Sequence, residues 1–186
     1  VLWFSDLVGF SAAAREASPS DTATMIRSAM GAQAEIIEAQ GGYIDKFMGD
    51  GLMAYWVVRG SVSDGYRHAS SKALTASLAA REAIQATTSP ADDSPLDLRI
   101  GLHAGRAKTG NFGSEKRWAF TLIGDDVNLC ARLEQAKDVI KGDALGTIRT
   151  SQQFFENLSD DEKKVLSLRT EASAKERVIS IFSGPN

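Results

Sequence analysis

The sequence predicts a mixed α+β sandwich, a sheet with helices packed on it, and three observations carry that prediction. Strand-like and helix-like segments alternate along the 186 residues. Two neighbouring strand-like runs, Tyr43–Met48 and 52–58, are joined by Gly49-Asp50-Gly51, which is a hairpin turn. That antiparallel pair argues against a doubly wound parallel sheet. The length and the 43% hydrophobic content suit one domain with a sizeable core.

Each element has its own local signal. Residues 1–7 read as a short buried strand ending in the polar pair Ser5-Asp6, with Gly9 as a turn. Ser18-Pro19 places an N-cap before a proline at the first helical position. Ile26, Met30, Ala34 and Ile37 follow at helical spacing, and Gly41-Gly42 stops the helix. After the hairpin, Asp64 opens a second helix with Leu74, Leu78 and Ile84 on one side. Residues 87–95 form a polar loop. Leu96, Leu98, Ile100 and Leu102 then point one way while Asp97, Arg99 and His103 point the other. Residues 105–117, basic and Gly-containing, read as a long connection or flexible arm. Trp118, Phe120 and Leu122 alternate as a strand, and residues 125–137 read as a helix. The tail predicts a strand near Thr147, a helix over 151–157 and strands near 165–169 and 177–182.

Composition excludes several classes. The chain has 21 Lys plus Arg against 24 Asp plus Glu, which argues against a basic face built to grip nucleic acid. No run of about 18 apolar residues is present, so no span and no membrane contact is expected of this domain. The single cysteine, Cys130, has no internal disulfide partner, and no Cys/His spacing resembles a zinc site.

Three segments carry chemistry. In Phe4-Ser5-Asp6-Leu7-Val8-Gly9-Phe10-Ser11, an acidic residue at a strand end precedes a Gly-containing turn into a helix. Such a stretch suits a metal-triphosphate, the carboxylate taking the ion and backbone N–H groups facing the phosphates. By itself it reads equally as an ordinary turn with Asp6 as a solvated cap. In Asp45-Lys46-Phe47-Met48-Gly49-Asp50-Gly51, Asp50 sits at a hairpin tip. Alone this is turn chemistry; paired with Asp6 it makes a two-carboxylate site of the kind Mg²⁺ prefers. In Thr121-Leu122-Ile123-Gly124-Asp125-Asp126-Val127-Asn128-Leu129-Cys130-Ala131-Arg132, Asn128 and Arg132 lie four apart and share a helix face. They form either an exposed polar face or an amide and a guanidinium able to orient a sugar and stabilise a phosphoryl group. Asp125 and Asp126 are assigned to the helix N-terminus.

Together with Leu98-Arg99-Ile100-Gly101-Leu102-His103, these segments resemble, in order, the catalytic domain of class III nucleotidyl cyclases. The resemblance runs from residue 1 to about 134, with a weaker trace to 182. The glycine-and-aspartate hairpin is also similar to that of diguanylate cyclases, but the Asn128/Arg132 helix belongs to the class III pattern. The resemblance implies a ferredoxin-like mixed sheet and a head-to-tail homodimer with sites between the chains. It implies that Asp6 and Asp50 hold two Mg²⁺ or Mn²⁺ ions, with backbone at Leu7, Phe10 and Ser11 contacting metal and triphosphate. Asn128 matches the ribose-positioning residue, Arg132 the transition-state arginine, and Arg99 an arginine that holds phosphates.

The two base-reading positions of that family fall on Lys46 and Thr121. A lysine can donate to adenine N1 and a threonine hydroxyl can accept from N6, whereas guanine presents the opposite pattern. ATP is therefore the expected substrate, and the chain resembles a Thr-bearing bacterial adenylyl cyclase subgroup. One departure stands out: Ser173-Ala174 occupies the place of a phosphate-binding Lys, with Lys175 or Arg169 as substitutes.

Other conspicuous residues take plainer readings. His68 and His103 are read as structural, Cys130 as inert packing, and Trp56, Trp118 and Phe120 as core or dimer interface. Lys108, Lys116 and Arg117 are read as a solvated loop. The expected function is an adenylyl cyclase forming 3′,5′-cyclic AMP and pyrophosphate. The alternatives are a guanylyl or other nucleotidyl cyclase and a non-catalytic, cyclase-like regulatory module. Residues 1–186 are expected to be one catalytic domain excised from a longer chain, cytoplasmic, with an upstream sensory or regulatory part.

Overall fold

A computed structural model describes residues 1–174 and 177–185. β1 (Leu2–Val8) turns through Gly9 into α1 (Phe10–Glu16) and then α2 (Pro19–Ala39). β2 (Tyr43–Met48) and β3 (Gly51–Tyr55) form the hairpin, followed by α3 (Val62–Gln85) and β4 (Asp97–His103). A second hairpin, β5 (Lys108–Ser114) and β6 (Arg117–Ile123), precedes α4 (Asp125–Glu134). The remainder is β7 (Val139–Ile140), β8 (Asp143–Ala144), β9 (Ile148–Ser151), α5 (Gln152–Glu156), α6 (Asp160–Lys163), β10 (Leu168–Ala174) and β11 (Arg177–Gly184).

Seven strands form one sheet in the order β10-β11-β9-β4-β1-β3-β2. The β4–β9 pair is parallel and the other pairs are antiparallel. Within it, β4-β1-β3-β2 connected through α2 and α3 is the ferredoxin-like arrangement, as expected. Strand alternation builds two cores. Trp3, Leu52, Ala54, Leu98, Ile100 and Leu102 face α2 and α3, while Leu2 and Met53 face Val127 and Cys130 of α4. A Cβ on Gly101 would come within 2.6 Å of the Cys130 carbonyl oxygen, so this glycine lets α4 lie directly on the sheet. That contact carries α4 over the middle strands.

Local chemistry explains the helix starts. Ser18 caps α2 by accepting from the Asp21 N–H at 3.1 Å, with Pro19 at the first helical position. α3 begins earlier than expected: Ser61 is the cap, accepting from the Asp64 N–H at 3.3 Å, so Asp64 sits in the first turn. The buried face of α2 is Met25, Ala29, Met30, Gln33 and Ile37, displaced from the expected stripe. Gln33 is admitted because the Ser5 hydroxyl donates to its Oε1 at 2.7 Å and its Nε2 donates to the Ala29 carbonyl.

One expectation needs correction. The basic stretch 105–117 is largely strand: Lys108 to Ser114 pair residue by residue with Ile123 to Arg117. Lys108 and Arg117 are therefore strand residues, not a solvated loop. Of the three aromatics read as core or dimer interface, Trp56 is in the core, while Trp118 and Phe120, 65% and 62% exposed, are not, which leaves only the interface alternative for these two. His103 points away from the leucine face of β4, as expected, and α4 covers that side and leaves the histidine 1% exposed. No helix among the described residues is long and apolar enough to cross a membrane.

Candidate active site

Asp6 lies on β1, in the middle of the sheet, with Gly51 of β3 beside it on one side and Arg99 of β4 on the other. Cross-strand register therefore delivers two of the expected groups to one spot. Arg99 Nη2 donates to Asp6 Oδ2 at 3.3 Å. Gly49, at φ 67, turns the chain so that Asp50 arrives from the hairpin. A Cβ on Gly51 would run into the Ser5 carbonyl oxygen, and this absence of side chain lets the hairpin close against β1. The Asp50 carboxyl is pushed above the usual carboxylate range by burial and then by the charge of Asp6.

A third carboxylate joins them. Glu134, near the end of α4, is 6% exposed, with Oε1 3.7 Å from Arg99 Nε. Burial and then the charge of Asp6 push its pKa up to about 7. Phe4, Asp6, Met48, Gly51, Arg99 and Glu134 line a cavity of about 370 Å³. The sequence reading missed Glu134, whose position depends on α4 packing over Gly101. The donor set fits a divalent cation: Asp6 and Asp50 crowd each other's charge, and Mg²⁺ takes one or two carboxylates with water and phosphate completing its shell. No cluster of three or more His, Cys, Asp or Glu is arranged as a metal cage among the described residues.

The turn after Asp6 contributes backbone only. The Leu7 side chain is buried in the core. Phe10 packs partly against that core, Ser11 is exposed, and the Gly9 carbonyl accepts from the Ala12 and Ala13 amides.

Lys46 and Thr121 meet through a residue that the sequence reading did not single out. Asp45 Oδ2 accepts from the Thr121 hydroxyl at 2.6 Å and lies 3.4 Å from Lys46 Nζ. This links β2 to β6.

Asn128 and Arg132 share the outward side of α4, away from Val127, Cys130, Leu133 and Glu134. Asn128 is exposed. Arg132 lines a separate cavity of about 560 Å³ with Lys137, Lys141 and Ser173. Within one chain, then, Asp6, Asp50 and Arg99 come together, while Arg132 opens elsewhere.

A model of the adenylate and guanylate cyclase catalytic domain matches residues 1–173. The chain belongs to this family. It is 30% identical over 167 residues to adenylate cyclase 1 of Rhizobium meliloti, an alignment covering 78% of this chain and 24% of that protein. The chain thus spans about a quarter of that relative's length. Among solved structures, a guanylyl cyclase superposes with a TM-score of 0.76 at 29% identity, covering 97% of this chain and 88% of that one. The adenylyl cyclase CyaB from P. aeruginosa gives 0.75 at 26% identity, covering 97% and 90%.

Several side chains of this cyclase domain take positions the sequence did not indicate. Asp126 does not simply sit at the α4 N-terminus; its Oδ2 accepts from the Arg106 N–H at 2.7 Å, and its Oδ1 lies 3.4 Å from His103 Nε2. The other His103 nitrogen, Nδ1, is 2.7 Å from Ser151 Oγ. Burial holds its pKa below the ordinary value against the opposing charge of Asp126. Cys130 is fully buried, its thiol donating to the Gly101 carbonyl at 3.2 Å, and burial drives its pKa far up. Arg169 is turned away from α4: its guanidinium lies 5.5 Å from the ring centre of Phe182, which belongs to the opposite core. Lys175 lies outside the described residues.

Proposed function

We propose that this domain, residues 1–186, is an adenylyl cyclase, converting ATP to 3′,5′-cyclic AMP and pyrophosphate at sites shared by two copies of the chain. The observation that carries the reading is the meeting of Asp6 and Arg99 at one cavity, with the Asp50 carboxyl near enough for the charge of Asp6 to act on it. Two Mg²⁺ or Mn²⁺ ions held by Asp6 and Asp50 would supply acidification of the ribose 3′-hydroxyl and neutralisation of the leaving pyrophosphate. Arg99, flanked by Asp6 and Glu134, holds the phosphates, and backbone at Leu7, Phe10 and Ser11 faces metal and triphosphate. Asn128 orients the ribose, and Arg132 of the second copy stabilises charge on the α-phosphoryl group.

Two features favour the shared site. Arg132 and Asp6 line different cavities of one chain, so a single copy does not assemble the set. Exposed Phe47, Trp118 and Phe120 lie on the strands that carry Lys46 and Thr121, an apolar surface suited to a partner copy. ATP is favoured because Lys46 donates where adenine N1 accepts and Thr121 accepts where the 6-amino group donates. A cytoplasmic location and an upstream regulatory part complete the reading.

The test presents ATP, GTP, CTP and UTP to the purified domain with Mn²⁺ and identifies the product by mass. Cyclic AMP as the main product is expected, and turnover per chain should rise with protein concentration. Asp6→Ala and Asp50→Ala should abolish turnover while leaving circular dichroism unchanged. Cyclic AMP at the unaltered rate from either variant overturns the two-carboxylate site; ATP binding without pyrophosphate release overturns the enzyme reading in favour of a regulatory module.

A further inference from the structure

A threonine hydroxyl is a poor discriminator on its own. It carries one proton and two lone pairs, so by rotating it can accept from an adenine 6-amino group or donate to a guanine 6-oxo group. Something must remove that freedom if Thr121 is to read one purine. The structure supplies a candidate in Asp45. Its side chain is 2% exposed, and one of its oxygens, Oδ2, serves both Thr121 Oγ1 and Lys46 Nζ.

This arrangement depends on an irregularity in β2. Ile44 pairs with Ala54 and Lys46 with Met53, leaving Asp45 as the extra residue of a bulge with no partner on β3. In a regular strand, adjacent side chains point to opposite faces and Asp45 and Lys46 would not meet. The bulge re-aims one of them, so that both reach Thr121's surroundings.

We propose that Asp45 is a positioning residue that sets the hydrogen-bond polarity of the base-reading pair. Beside the Lys46 ammonium, its carboxylate accepts, so the Thr121 hydroxyl must spend its proton inward. Only lone pairs then face the base, and Thr121 becomes an obligate acceptor suited to a 6-amino group. Lys46, with three N–H donors, keeps others for N1. Asp45 thereby turns an ambivalent hydroxyl into one arm of an adenine reader. This inference rests on the ATP reading above.

The experiment measures kcat/KM for ATP and GTP with Mn²⁺ in wild type, Asp45→Asn, Thr121→Val and the double variant, each checked by circular dichroism. Asparagine can present its amide N–H to Thr121, which frees the hydroxyl proton to face the base. Asp45→Asn should therefore lower the ATP-over-GTP ratio about 10-fold, and adding it to Thr121→Val should change the ratio no further. An unchanged ratio in Asp45→Asn, or additive effects in the double variant, overturns the proposal. A wild type that prefers GTP overturns instead the substrate reading on which it rests. A measurement on the unaltered protein guards against misfolding of the variants. Purine riboside triphosphate keeps adenine N1 without a 6-substituent, and its 6-methoxy analogue adds an acceptor there. The methoxy compound should be the poorer substrate, and equal or better use of it overturns the obligate acceptor.

Discussion

Arg149→Met tests how the end of α4, which carries Arg132 and Glu134, is held in place. Arg149 on β9 is 2% exposed, and each of its three guanidinium nitrogens donates a hydrogen bond. Nε donates to the Gly146 carbonyl at 3.1 Å, and Nη1 donates to the carbonyls of Glu134 at 3.1 Å and Ala136 at 2.6 Å. Nη2 pairs with Asp138 Oδ1 at 2.7 Å. Methionine retains much of the aliphatic volume but offers no donor, so three carbonyls lose a partner. Each costs about 1–3 kcal/mol if left buried and unpaired. Asp138, whose side chain is 67% exposed, simply rehydrates and adds little. Relaxation of the helix end toward water recovers part, leaving a loss of about 3–5 kcal/mol. For a domain of this size that lowers Tm by roughly 6–20 °C. Urea unfolding followed by circular dichroism would read it as a lower midpoint at unchanged slope. Turnover measured well below that midpoint should fall too, because the C-terminal turn of α4 is no longer tied to β9. A loss under about 1 kcal/mol would refute the reasoning and show that those carbonyls are satisfied another way.

Three further outcomes are expected. His103 has a pKa lowered by burial, so the unfolded chain takes up a proton below about pH 6.5 before the folded one does. Its contribution is complete above that pH and is lost on acidification, by at most about 1.4 kcal/mol per pH unit, and His103→Gln should flatten the difference between urea midpoints at pH 7.5 and 5.5. Gly51→Ala should cost about 1–3 kcal/mol through the clash with Ser5 and cut turnover at least 10-fold by shifting Asp50 from Asp6; a stable, fully active variant would contradict the packing argument. Trp118→Ser, at an exposed position, should leave Tm nearly unchanged while raising the protein concentration needed for turnover, measured with sedimentation in parallel.

Reading from residues to fold succeeded where signals were local. The Ser18-Pro19 helix start, the hairpin over Gly49-Asp50-Gly51, and the alternation of Leu96 to Leu102 each depend on neighbours in sequence, and each element is present. Strand β5 escaped because it contains Gly and Lys and has no buried residue to alternate against solvent. For Trp118 and Phe120, alternation identified the strand but could not decide between core and interface; within one chain both are exposed.

Asp6 and Asp50 could be named from sequence, because a carboxylate at a strand end or a hairpin tip announces itself through its turn, and Arg99 from the family resemblance. Their meeting was decided by sheet register, which sets Gly51 and Arg99 on either side of Asp6. Glu134 and Asp45 were decided wholly by tertiary structure. One depends on a helix lying over a glycine, the other on a bulge that breaks the two-residue period. Backbone propensity is a property of neighbouring residues, and it determined the elements. The pairing of Asp45 with Thr121, 76 residues away, arises from packing between strands that no local pattern encodes.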